Sequence, residues 1–197
     1  MSEHNHPATY FQRPGKKNSQ RTLELVRGRI EALGIEKVLV ATTVGDTAVQ
    51  AAQMLKDYEV IAVTHSTGFK EPNTQELTVE NRQAIEAASA HILTSQHAFG
   101  GVNRAVRKKW GTFMTDEIIA QTLRLFSEGM KVVVEIAIMA ADAGLVRTDE
   151  VVMCIAGTGR GADTAVIIQP ANAQSFFDLK ILEIVCMPAP GHPAFPS

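Results

Sequence analysis

The sequence predicts an α/β domain of three layers, α/β/α, built on a mainly parallel sheet with an antiparallel edge. Three observations carry this. Short apolar segments alternate with helical periodicities through the first half of the chain. The apolar segments are continuous rather than alternating, as in strands buried on both faces. Later, two such segments are joined only by residues 157–163, too short a link for a crossover helix, so that pair runs antiparallel.

The elements follow in order. Residues 1–17 carry Pro7, Pro14 and Gly15 with little periodicity and read as an extended, loosely attached arm; 18–197 form one domain. Asn18 or Ser19 caps a first helix, marked by Leu23, Val26, Ile30 and Leu33 and ended by Gly34. KVLVA (37–41) is a strand, and a helix covers about 47–56 with Thr47 as an ordinary cap candidate. YEVIAVT (58–64) is the second strand, about 79–88 a helix, and AHILT (90–94) the third strand. Strand, helix, strand in this order implies right-handed crossovers. Residues 95–111 are long for a connection, unless a short helix near 101–109 shortens it. A helix capped by Thr115 or Asp116 follows, its inner face marked by Ile118, Ile119, Thr122, Leu125 and Phe126. Gly129 breaks it, and an almost wholly apolar helix, 130–143, belongs in a core or an oligomer interface. Strands at 150–156, 164–170 and 180–188 complete the chain.

Bulk properties exclude several classes. A chain of 197 residues, 45% hydrophobic and 20% charged, suits one globular domain. A net charge of −2 gives no basic field for nucleic acid, and Arg104, Arg107, Lys108 and Lys109 read as a solvated helix face. No stretch reaches the roughly 20 apolar residues that span a bilayer. The polar N-terminus lacks a signal segment. Cys154 and Cys186 lie in apolar runs and read as reduced, packed thiols, which points to the cytoplasm. His4 and His6 have no companion ligands in the sequence, so no metal site is expected.

Four segments are candidates for chemistry. In ATTVGDTA (41–48), a strand runs into a helix whose free N–H groups and dipole favour an anion. Thr42, Thr43 and Thr47 add hydroxyls there, and Gly45 permits close backbone approach. The alternative is a plain capped turn. The final Gly-Lys of a Walker A loop is missing. Asp46 repels a phosphate unless a cation neutralises it, and otherwise suits sugar-like hydroxyls. HSTGF (65–69) brings His65, Ser66, Thr67 and Gly68 to the same sheet edge, with a solvated histidine as the plainer reading. AGTGRGAD (156–163) resembles a dinucleotide loop but is followed by a strand, which rejects a Rossmann site. Gly157, Thr158, Gly159, Arg160 and Gly161, with Asp163, nevertheless suit an anion wrap or a glycine-rich hairpin. Finally, Gln96, His97, Phe99, Gly100, Gly101 and Trp110 form either a stacking lid for a flat ring or a core plug.

Taken together, KVLVATTVGDTAVQAAQML, YEVIAVTHSTG and AADAGLVRTDEVVMCIAGTGRGADTAVIIQP resemble the C-terminal alpha/beta domain of pyruvate kinase over about residues 36–188. In that enzyme the domain holds a sugar-phosphate effector through the loop equivalent to Thr42–Thr47. Its catalytic barrel is separate and has no counterpart in these residues, so the resemblance implies no pyruvate kinase activity. Asp46 departs from the effector loop and speaks against a sugar bisphosphate. The HAFGG segment brings the chain nearer to a small prokaryotic family of stand-alone proteins seen with flavin mononucleotide (FMN). That resemblance implies FMN as ligand. Its phosphate would meet Thr42, Thr43, Gly45 and Thr47, its ribityl chain Asp46 or His65, and its ring loop 157–161 or Phe99. The alternatives are a sensor for another phosphorylated metabolite, or a hydrolase or transferase using His65 or His97 with Asp163. Catalytic residues are not assigned. The apolar helix 130–143 and the analogy with pyruvate kinase subunits lean towards a homo-oligomer.

Overall fold

The structure, a computed structural model, describes residues 3–195. Seven strands form one sheet in the order β1-β7-β6-β5-β2-β3-β4. They are β1 (Thr9–Phe11), β2 (Lys37–Ala41), β3 (Glu59–Thr64), β4 (His91–Thr94), β5 (Val152–Ala156), β6 (Thr164–Gln169) and β7 (Lys180–Pro188). Neighbouring pairs among β5, β2, β3 and β4 are parallel. β6 is antiparallel to β5 and to β7, as the short 157–163 link requires. β7 therefore runs the way of β5, and β1 pairs with it in parallel.

Helices cover both faces. On one side α1 (Ser19–Leu33), α2 (Asp46–Met54) and α3 (Val79–Ala87) pack on Val38, Val40, Ala62, Met153 and Ile155. On the other lie α5 (Thr115–Arg124) and α6 (Glu128–Asp142), against Leu39, Ile61, Val63, Cys154 and Val166. Successive β2 residues serve opposite layers, which is why the strand reads as one apolar run. Cys154 and Cys186 are buried and unpaired, and burial pushes the Cys186 thiol up to about 11.

Several expectations need correction. The arm is tied into the fold: Thr9–Phe11 add an edge strand, because β7 offers an unpaired edge. His4 sits against the Arg29 guanidinium at 2.7 Å, and Arg29 is held by Glu183 at 2.6 Å. Neither Asn18 nor Ser19 caps α1 through its side chain; Ser19 Oγ instead accepts the Ala162 N–H at 2.9 Å and donates to Lys16 O. Residues 95–111 do contain the short helix expected near 101–109, α4 (Val102–Trp110), which makes the connection helical for half its length.

α5 buries Glu117 and Ala120 rather than the stripe of Ile118, Leu125 and Phe126, which are 58%, 84% and 55% exposed. Ala120 packs with Ile119 and Leu123 against the α6 layer instead, and Arg107 of α4 reaches Glu117 at 3.1 Å. Nor does Gly129 break a helix. α6 starts before it, capped by Ser127 Oγ accepting the Met130 N–H at 2.9 Å. A Cβ at position 129 would lie 2.2 Å from Thr164 Oγ1, so glycine is what lets α6 approach β6.

Asp163 secures the junction of arm, loop and sheet. It is fully buried, and one carboxylate oxygen accepts the N–H groups of Gly15 (2.8 Å) and Thr158 (3.0 Å). The other accepts the Thr164 hydroxyl at 2.9 Å. Asp163→Ala leaves buried donors unpaired and should lower unfolding free energy by about 3 kcal/mol in urea titration.

Candidate functional site

The carboxyl ends of β2, β3, β4 and β5 meet at one edge of the sheet, where open α/β sheets place ligands. A cleft of about 250 Å³ opens there. Its floor is Ala41, Val63 and Thr64 from the strand ends. One wall is Thr42, Thr43, Asp46 and Thr47, another the loop of Gly157, Gly159, Arg160 and Gly161. His65, Phe69 and His97 form a third wall, and α6 closes the cleft with Lys131, Glu135 and Met139.

The phosphate-cradle segment has the expected local form with one change. The N-cap of α2 is Gly45, at φ 114°, and no side chain caps the helix. Its first N–H groups are thus left without a capping partner, which favours an anion. Gly45 does not line the cleft. A Cβ there would come 2.3 Å from Asn81 Cβ, so its role is to let the α3 helix close behind the turn. The Asp46 charge is compensated: its carboxylate accepts from Asn81 Nδ2 at 3.1 Å and lies 3.6 Å from Lys16 Nζ. Lys16 comes from the arm, so the arm borders the site.

The structure separates the remaining sequence candidates. Thr67 is exposed in its turn, and Gly68 faces a smaller hollow beside Gly101 and Lys108. Phe99 is buried in the core, edge-on to Phe176 at 5.8 Å between ring centres. Thr158 and Asp163 lie outside the cleft. Trp110 is exposed. Asp163 partners neither histidine; His65 Nδ1 meets Glu76 at 2.7 Å, and His97 Nδ1 lies 3.6 Å from Glu135.

What the sequence left hidden is polar chemistry inside an apolar helix. Lys131 and Glu135, one turn apart on α6, are 5% and 3% exposed and form a close ion pair. Glu135 also accepts the Phe99 N–H at 3.0 Å. Burial pushes its carboxyl up, but His97, Lys131 and their hydrogen bonds outweigh burial and hold it down at about 2. Burial pulls Lys131 down against the pull of Glu135, and Arg124 and Arg104 add to the lowering. The spacing of Lys131 and Glu135 was the available signal: i and i+4 share a helix face.

His97 is locked. Its Nε2 accepts the Ser66 N–H at 3.4 Å, which leaves the proton on Nδ1, towards Glu135. Its ring stacks on Phe69 at 4.9 Å, and the Arg104 guanidinium lies over the Phe69 ring at 4.9 Å from its centre. Arg104 and Arg160 make no ion pair among the described residues, whereas Lys16, Arg124 and Lys131 each have a carboxylate partner. Of the basic cluster on α4, then, Arg104 belongs to the site and Arg107 to the α5 contact.

Two crystal structures of O-ureido-L-serine synthase, one of a mutant with O-ureido-L-serine bound, are similar to this chain at 18% and 19% identity. Each match covers 69% of this chain; the TM-scores are 0.31 and 0.32. The chain spans about half the length of those proteins, 50% and 49%. A family model described as the pyruvate kinase alpha/beta domain matches residues 20–168, and the chain belongs to that family.

The Glu135 carboxyl gives a pH prediction. Its folded pKa, about 2, lies below the ordinary 4.5, so its contribution is full above pH 4.5 and is lost as pH falls towards 2. Glu135→Gln should flatten the acid limb of the stability–pH curve in that window, read by thermal melts at stepped pH.

Proposed function

We propose that this member of the pyruvate kinase alpha/beta-domain family binds a small phosphorylated ligand in the cleft, and that the ligand is FMN. The observation that carries the reading is the N-terminus of α2, without a side-chain cap and opening on a cleft that also holds two arginines with no ion-pair partner among the described residues. An uncapped helix end offers backbone donors to a phosphate, and Thr42, Thr43 and Thr47 stand around it. Lys16 pairs with Asp46 and the Asn81 amide donates to it, which lessens the repulsion expected from its charge.

The residues suit a flavin in two further respects. Phe69 and His97 make a stacked aromatic wall for a planar ring, in place of the buried Phe99. Asp46 and His65 line the cleft with groups for ribityl hydroxyls. A bound flavin would supply one- or two-electron transfer; this chain's part is to hold the phosphate, stack the ring and limit water access. The proposal is for binding and carries no pyruvate kinase activity. A homo-oligomer is proposed through α4 and α5, where Trp110, Phe113, Ile118, Leu125 and Phe126 are exposed.

Saturating FMN, near 100-fold above Kd, should stabilise by about 2.7 kcal/mol and raise Tm by about 5–10 °C. Thr43→Val and Arg160→Gln should each weaken FMN about tenfold in calorimetric titration. Stabilisation by other phosphorylated metabolites with none by FMN would replace the flavin by a sensor reading. No stabilisation by either would remove the phosphate site.

A further inference from the structure

A buried ion pair contributes little net stability, since desolvation offsets attraction. Lys131 and Glu135 are the charged residues buried in α6, a helix packed on the sheet, and both line the cleft. Lys131 is 5% exposed, with Arg124 and Arg104 in the same cleft. Burial, Arg124 and Arg104 pull Lys131 down towards the nucleophilic amine, against the hold of the Glu135 carboxylate that keeps the ammonium paired. Across the cleft stands the α2 cradle.

We infer that Lys131 captures carbonyl groups: it condenses with the aldehyde or ketone of a phosphorylated substrate whose phosphate sits at the α2 N-terminus. The inference rests on the phosphate half of the reading above and not on the flavin half. The step balances without an oxidant. The Lys131 ammonium passes a proton through Glu135, and the amine lone pair attacks the carbonyl carbon. The C–N bond forms, the carbonyl oxygen gathers two of the nitrogen's protons and leaves as water. A protonated imine remains with the charge the ammonium had. Glu135 therefore faces one positive charge before and after, which keeps the buried pair neutral throughout. The His97 ring and the Phe99 N–H hold that carboxylate in place.

The test incubates the protein with glyceraldehyde 3-phosphate and sodium cyanoborohydride, then maps adducts by peptide mass spectrometry. Glycerol 3-phosphate, which has no carbonyl, reports phosphate binding through Tm. The expected result is a reduced adduct concentrated on Lys131, suppressed by glycerol 3-phosphate. Glyceraldehyde itself should label that position at least about tenfold less, the factor expected from losing the phosphate contacts. Lys131→Arg and Lys131→Met should both lose the adduct; the arginine variant, which keeps the charge, should retain the Tm response to glycerol 3-phosphate. A Tm rise with no adduct on Lys131 overturns the imine and leaves the phosphate site standing. Neither Tm rise nor adduct overturns both. Labelling spread evenly over exposed lysines also overturns the imine.

Discussion

A sheet in which every strand but one runs the same way gathers its loops at one edge, and that constraint organises the molecule. The ends of β2, β3 and β5 lie side by side, so a turn with Thr42 and Thr43, a histidine at 65 and a glycine loop at 157–161 face one cleft although distant in sequence. The single reversal, β6, turns the chain back through 157–163 without a helix in the way. That short link makes the loop a wall of the cleft rather than a crossover.

The wall must be fixed for the cleft to have a shape. Asp163 does this from inside, joining Gly15 of the arm, Thr158 of the loop and Thr164 of β6. Ser19 takes the next N–H along, at Ala162. The same joint sets Lys16 beside Asp46 at the entrance of the cradle. Asp163, which the sequence offers as part of an anion-wrapping loop or as partner to a histidine, thus ties the fold together, and its position explains why the arm borders the site. The opposite wall is held by Glu135, which gathers Lys131, His97 and the Phe99 N–H.

Much of this was legible in the residues. Continuous apolar runs identified the strands, and the shortness of 157–163 fixed the antiparallel pair. The cradle turn, His65 and Arg160 were named from their types and their places at strand ends. Three things were not legible, for physical reasons. Pairing of β1 with β7 depends on an edge left open at the far end of the chain, which no local periodicity encodes. The inner face of α5 is Ile119, Ala120 and Leu123 against the α6 layer, and apolar residues all round the helix, Ile118 among them, let its periodicity fit a neighbouring face as well. The apolar character of α6 masked its two buried charged cleft residues, because eleven of its fifteen positions say only "core" until the i, i+4 spacing of Lys131 and Glu135 is seen facing one cavity.

The central claim is that a phosphate binds at the N-terminus of α2. The most direct measurement is a crystal structure of the protein with a phosphorylated ligand, either FMN or whatever co-purifies, identified by mass spectrometry. The account predicts phosphate oxygens within hydrogen-bond distance of the backbone between Thr42 and Thr47. A ligand whose phosphate lies anywhere else on the molecule, with that helix end facing only water, would contradict it.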